Sequence, residues 1–339
     1  MKGSLDRVVR RWSWIPLALG LCPAVSCAGD ENYAGNPAAL ELVDQMVAED
    51  GFQREELLLL LGDARRQESI LEAISRPAEK AKPWYEYRQI FLTPKRINDG
   101  IAFYREHRET LLRAEAETGV PASIIVSIIG VETLYGRIMG SYRVLDALTT
   151  LAFDYPRRAD FFTGELRNYL ILTREQGKDP RTLKGSYAGA MGYGQFMPSS
   201  YRSYAIDFDA DGTADIWENP VDAIGSVANY FKAHGWTPGA TVVVPAREER
   251  ALPAEMFSEG RALEPRYSVA ELSAAGLVPG APVDPQEKAI ALDFELADDG
   301  HEYWLGLHNF YVITRYNHSA KYAMSVYQLS EAIAEGVAE

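Results

Sequence analysis

The chain has 339 residues, 47% hydrophobic and 24% charged, which fits a folded protein and excludes a disordered one. That length accommodates one large domain with insertions, or two to three smaller ones. A net charge of −14, with no continuous basic stripe, argues against a nucleic-acid binder.

Residues 1–28 have the form of an export signal. Lys2, Arg7, Arg10 and Arg11 give a basic start interrupted by Asp6, and Trp12 to Leu21 forms an apolar core too short for a permanent span. Arg10-Arg11 fits a twin-arginine signal poorly. Without residues 1–26 the chain would carry a charge near −17. Both cysteines, Cys22 and Cys27, fall in this segment, so the mature domain has no intrachain disulfide and no Cys-based metal site or nucleophile. Ala24-Val25-Ser26-Cys27 looks like a bacterial lipobox with Cys27 as the lipidated residue, although Ala24 is a weaker choice than Leu there. Cleavage after Ala28 is the alternative, and both make the chain an exported one.

Residues 29–37 are small and polar and suit a tether. Helical periodicity then runs from Pro37 through Leu57–Leu61 and Ile70–Ile74, with Pro77, Pro83 and Pro94 as breaks, which predicts a helical N-terminal domain over 38–97. A further helical stretch is expected from Pro94 to Thr118. The core over 98–236 continues with a helix from Pro121 towards Gly136, helical segments near 142–152 and 159–176, a Gly-rich loop over 183–198, and a helix near Ser199–Ala205. After Trp236 the composition changes. Short β-like runs, Thr241–Pro245 and Ile290–Glu295, are broken by Pro and Gly and predict a small β domain over 237–299. Residues 300–339 return to helical pattern around Ala320–Ala334. The expected class is α+β, mainly α.

Four motifs along this frame carry chemistry. Glu132, in Val131-Glu132-Thr133-Leu134-Tyr135-Gly136-Arg137, follows the apolar run Ile124–Ile129. Ile124, Ile128, Glu132 and Tyr135 are expected on one helical face. A carboxyl on the buried face of an apolar helix loses hydration when ionised, so its pKa should rise and it could act as a general acid. The plain alternative is a surface glutamate. Next, Asp207-Phe-Asp209-Ala-Asp211-Gly212-Thr213-Ala-Asp215-Ile-Trp-Glu218 fits the twelve-residue EF-hand calcium loop at every ligand position: oxygens at 1, 3, 5, 9 and 12, the Thr213 carbonyl at 7, and Gly212 at the sharp turn. A single loop suits a structural clamp better than a sensor, and the alternative is a solvated acidic loop.

Ser186 to Tyr201 mixes glycines, aromatics and an amide. Glycines allow close approach to the backbone and tyrosine faces can stack on sugars, but a tightly turned structural loop is an equal reading. Tyr311 to Tyr322, with Arg315-Tyr316-Asn317-His318-Ser319, is a second polar-aromatic cluster, in which His318 reads as a structural residue. The scattered histidines disfavour catalytic zinc, the missing Gly-x-Ser-x-Gly elbow disfavours a serine hydrolase, and the missing phosphate-loop lysine disfavours nucleotide binding.

Together these four ordered motifs resemble the B-type membrane-bound lytic murein transglycosylases, over roughly residues 40–335. The resemblance implies a helical domain, a lysozyme-like core with an embedded EF-hand-type calcium site, and a small β domain. It implies Glu132 as the single catalytic acid and base, with Ser186, Gln195, Tyr316, Asn317 and Tyr322 lining the sugar cleft. Arg157 and Arg158 look like the family's cleft arginines, able to meet stem-peptide carboxylates. The activity implied is cleavage of the MurNAc-β-1,4-GlcNAc bond of peptidoglycan to a 1,6-anhydromuramyl product. Structural Ca²⁺ would be bound by Asp207, Asp209, Asp211, Thr213, Asp215 and Glu218, with no organic cofactor. The expected setting is the periplasm, as a monomer held to the outer membrane by lipid on Cys27, or else soluble there. Two other readings stay open: a lysozyme-like hydrolase with Asp146 or Asp154 as second carboxylate, and a non-catalytic wall-binding protein.

Overall fold

Asn36 and Pro37 show how the first helix starts: the Asn36 side chain accepts from the Ala38 and Ala39 amides, and proline takes a position where no amide is needed. The computed structural model describes residues 32–75, 82–257 and 263–339. The expected export signal, the Cys27 position, Pro77 and residues 29–31 of the tether lie outside them. Asn32–Glu339 forms one compact unit, and among the described residues no single helix is long and apolar enough to cross a membrane.

Helices α1 (Pro37–Glu49), α2 (Arg54–Asp63) and α3 (Glu68–Ser75) bury Leu42, Met46, Leu57, Leu61 and Ile70 in one apolar cluster with α8 (Val144–Asp154) and α9 (Ala159–Glu175). Helix α4 (Trp84–Phe91) goes elsewhere. Fully buried Trp84 packs 4.7 Å from Phe294 and donates from Nε1 to Glu302 at 2.5 Å. The expected 38–97 helical domain is therefore not one body, because Trp84 and Tyr87 draw its last part into a different cluster.

That other cluster gathers α4, α5 (Pro94–Glu106), α6 (Arg108–Thr118), α7 (Ala122–Thr133), α11 (Pro220–Ala233), α13 (His308–Tyr316) and α14 (Ala320–Ala338). The single helix expected over Pro94–Thr118 is two helices. At His107 the backbone leaves helical geometry while its ring packs 4.4 Å from Phe103. Tyr316 lies against both apolar clusters, so it marks the seam between them.

A five-stranded antiparallel sheet completes the fold, in the order β4 (Tyr267–Ser268), β6 (Lys288–Glu295), β7 (His301–Gly306), β3 (Val243–Glu248), β5 (Leu277–Pro279). Strand β6 alternates as a two-faced strand should: Ile290, Leu292 and Phe294 join the helical cluster, while Ala289 and Ala291 pack on a third cluster with Leu272 of α12 (Val269–Ala275). The β region runs past the expected boundary at 299. Strand β7 pairs with both β6 and β3 and is the middle strand, so the sheet ends at Gly306. Two further short pieces matter for the site: the ladder of β1 (Tyr142–Arg143) with β2 (Lys184–Gly185), and helix α10 (Pro198–Tyr204).

Candidate active site

Helix α7 is the scaffold of the site. Every residue from Ile124 to Gly130 is buried, and each such aliphatic side chain contributes about 1.5–3 kcal/mol of burial. Pro121 stands just before the helix as its cap. The helix ends at Thr133, and Leu134, Tyr135 and Gly136 follow at φ 52°, 61° and 83°. Two consecutive non-glycine residues in the left-handed region cost energy that surrounding contacts must offset. Here they do. The Thr133 hydroxyl accepts from the Gly136 amide at 3.0 Å and lies 2.9 Å from the Tyr193 carbonyl. The Tyr135 hydroxyl donates to the Arg96 carbonyl at 2.8 Å, and the Arg96 guanidinium donates to the Gly130 carbonyl at 3.1 Å. Tyr135 fits only because residue 130 is glycine: a Cβ there would come within 2.6 Å of the tyrosine ring. Tyr135 is therefore not on the helical face with Ile124, Ile128 and Glu132, but in the turn that ends it.

Glu132 is half-buried, one residue before this turn. Its Oε1 accepts from the Tyr322 hydroxyl at 2.6 Å. Tyr322 lies in the first turn of α14, which Ser319 caps by accepting from the Tyr322 amide. Tyr316 is the last residue of α13, and exposed Asn317 and His318 form the break between the two helices. The break thus delivers two tyrosines to one carboxylate. Burial first, and the charge of Glu132 second, push both tyrosine hydroxyls well above their ordinary pKa, so they stay protonated.

The Gly-rich loop packs beside them. The Tyr316 hydroxyl donates to the Gly194 carbonyl at 2.6 Å, and its ring is held by Tyr230 at 4.7 Å and Phe231 at 5.7 Å. Gln195, at φ 50°, donates from Nε2 to the Met139 and Gly192 carbonyls at 3.2 and 3.0 Å. Ser186 closes a tight turn by accepting the Ala190 amide on Oγ at 3.0 Å. Sequence reasoning missed Thr133, Tyr193, Tyr230 and Arg96, which hold this geometry, because their partners are 34 to 85 positions away.

The arginines and the alternative carboxylates sit on the other apolar cluster. Arg157 and Arg158 are exposed in a short 3-10 turn, Pro156–Arg158, between α8 and α9, with the Arg158 guanidinium 4.1 Å above the Phe161 ring. Asp146 is buried and bound by Arg143 at 2.6 Å and by the Arg65 amide at 3.0 Å. Asp154 accepts the Tyr33 hydroxyl at 2.5 Å. Both carboxylates are thus committed to holding α8 against the N-terminal helices.

In the acidic loop, Asp207, Asp209 and Asp211 bring carboxylate oxygens within 4.8 Å of one another. Amides of Asp211, Gly212 and Thr213 donate to these side chains. Asp215 instead pairs with Lys178 at 2.9 Å and accepts the Trp217 and Glu218 amides, while Glu218 is exposed. Buried Asp222, another residue missed, braces the loop by accepting the Phe208 and Asp215 amides, each at 2.7 Å. Its signal was position: an acidic residue in the first turn of the helix that follows the loop.

Residues 35–331 match the family described as the transglycosylase SLT domain. The chain is 48% identical over 313 residues to membrane-bound lytic murein transglycosylase B of Escherichia coli K12, covering 89% of this chain and 84% of that protein. It is similar to the crystallised catenated lytic transglycosylase SltB1 from Pseudomonas aeruginosa, with TM-score 0.87 and 54% identity over 90% of this chain and 100% of that one. It is also similar to the Escherichia coli lytic transglycosylase Slt35 in complex with calcium, with TM-score 0.83 and 48% identity over 91% and 96% of the two chains.

Proposed function

This chain belongs to the SLT transglycosylase family and is a lytic transglycosylase acting on peptidoglycan, and on that premise we propose that Glu132 alone serves as its acid and then its base. Protonated Glu132 donates to the glycosidic oxygen leaving C1 of N-acetylmuramic acid. The substrate's own N-acetyl carbonyl steadies the developing positive charge at C1. Ionised Glu132 then takes the proton of the C6 hydroxyl, which bonds to C1 and closes the 1,6-anhydro ring. The Tyr322 hydroxyl, a neutral donor at 2.6 Å, stabilises the carboxylate between the two transfers. Ser186, Gln195, Tyr316 and Asn317 line the cleft and hold the sugar.

The observation that carries this reading is one half-buried carboxyl at the end of a rigid apolar helix, bonded to a tyrosine that stays protonated. The hydrolase alternative loses ground, since Asp146 and Asp154 are spent on structural contacts. Glu132→Gln keeps size and polarity but holds no transferable proton. It is expected to lower release of anhydromuramyl products from purified sacculi by about 10²–10⁴-fold, with the melting temperature unchanged. Wild-type rates in that variant would refute the assignment.

The same proposal covers the acidic loop. The residues fit a hard dication, because three converging carboxylates repel one another unless a cation joins them. Asp207, Asp209, Asp211 and the Thr213 carbonyl would hold Ca²⁺ directly, Glu218 would complete the set, and Asp215 would act through water, as the ninth position often does. Bound calcium would supply local rigidity and no chemistry. Arg157 and Arg158 would meet stem-peptide carboxylates. Lipid on Cys27 would tether the protein, as a monomer, to the outer membrane on its periplasmic side.

A further inference from the structure

Two large apolar side chains beside Glu132 and Ser186 are left open to solvent. Among the described residues, Ile138 is 62% exposed and Tyr187 is 41% exposed. Scattered exposed apolar residues are ordinary on protein surfaces. These two differ in what carries them. The Ile138 amide donates to the Thr133 carbonyl at 2.9 Å, tying it to the residue next to Glu132. The following residue, Met139, is held by the Gln195 side chain. Gly140 sits so close to the Gly-rich loop that a Cβ there would lie 2.0 Å from the Gly185 carbonyl oxygen and 2.5 Å from the Ser186 amide. Tyr187 occupies the tight turn closed by Gly189 and Ala190 onto Ser186. Both side chains therefore project from backbone that is fixed to the site.

From this the geometry points to Ile138 and Tyr187 as a fixed apolar rim that flanks the reacting sugar and keeps water from C1, setting how often the C6 hydroxyl wins. The inference rests on the Glu132 reading. Two outcomes compete after Glu132 has given its proton to the departing N-acetylglucosamine oxygen and the C1–O bond has broken. In one, the C6 oxygen bonds to C1 and its proton returns to Glu132, leaving an anhydro end. In the other, a water oxygen bonds to C1, its proton goes to Glu132, and a reducing end forms. Both steps balance with the same residue, so the partition depends on which nucleophile reaches C1. Ring closure is intramolecular and favoured by orientation; the rim lowers the supply of its competitor.

The test is the ratio of reducing to anhydro ends released from sacculi, measured by mass spectrometry for wild type, Ile138→Ser, Ile138→Val and Tyr187→Ser. The proposal predicts that Ile138→Ser raises the ratio about tenfold, equal to about 1.4 kcal/mol of lost discrimination. Tyr187→Ser should raise it less, and Ile138→Val should stay near wild type. An unchanged ratio in Ile138→Ser and Tyr187→Ser overturns the rim. A serine variant too unstable to assay is replaced by Ile138→Asn, read by the same ratio. Failure of the rim is distinct from failure of the Glu132 assignment, which would appear as continued cleavage by Glu132→Gln.

Discussion

Glu132 and the 207–218 loop handle carboxylate charge in opposite ways. At Glu132 one half-buried carboxyl has a neutral hydroxyl as partner, and nearby tyrosines are kept protonated by burial and by its own charge. In the loop three exposed or half-exposed carboxylates converge, steadied by backbone amides. A neutral partner suits a group proposed to gain and lose a proton each turnover, because no opposite charge holds it ionised. Converging carboxylates suit a group that never does, because the proposed dication would hold them ionised. What an acidic residue does in this chain follows from its partners and not from local acidity.

The Glu132 side of that contrast breaks most visibly at Tyr322. Tyr322→Phe removes a hydrogen bond to a charged group, about 1.5–3 kcal/mol, so kcat should fall about 10–100-fold with KM little changed. An unaltered kcat in steady-state assays would mean that the neutral partner is unimportant. On the loop side, calcium at about 100 times its Kd adds about 2.7 kcal/mol to stability, a rise in melting temperature of roughly 4 °C for a folded unit of this length. Differential scanning fluorimetry with calcium and then with chelator reads this directly, and Asp207→Asn should remove most of the response. Equal melting temperatures in both conditions would leave the loop a mere solvated turn. The smallest effect belongs to the exposed arginines. Arg157→Ala with Arg158→Ala should slow cleavage of peptide-bearing wall by roughly 2–5-fold, the range of exposed charge contacts, while peptide-free glycan is cut as before. A loss of equal size on both substrates would assign the pair to the fold.

Much of this was legible in the residues, and the exceptions share a cause. The acidic loop could be located from spacing because its acidic residues lie within one short stretch of chain, and Pro121 and the apolar run behind Glu132 mark a helix locally. The end of that helix was not legible. Placing Tyr135 on the Glu132 face assumes that the helix continues, whereas Leu134 turns left-handed and Tyr135 packs over Gly130 and against Gly100, thirty-five positions earlier. Helix α13 was hidden inside what looked like a polar-aromatic cluster, since Tyr316 faces the seam and Asn317 ends the helix. Strand β7 carries no clean alternation, with partly exposed Glu302, Tyr303 and Trp304 before buried Leu305; only its two neighbours make it a central strand. Asp215 fits the ninth ligand position by number, yet Lys178, far along the chain, takes its carboxylate. Local spacing reveals what a loop can bind, while distant packing decides where each side chain ends up.

The most direct test of the central claim is digestion of purified sacculi by the wild-type enzyme in oxygen-18-labelled water, followed by mass spectrometry of the released muropeptides. If Glu132 works alone and passes the C6 hydroxyl to C1, the muramyl ends are anhydro and carry no solvent oxygen. Label at C1 of most released ends would contradict the account and show that water, activated by another group, is the nucleophile.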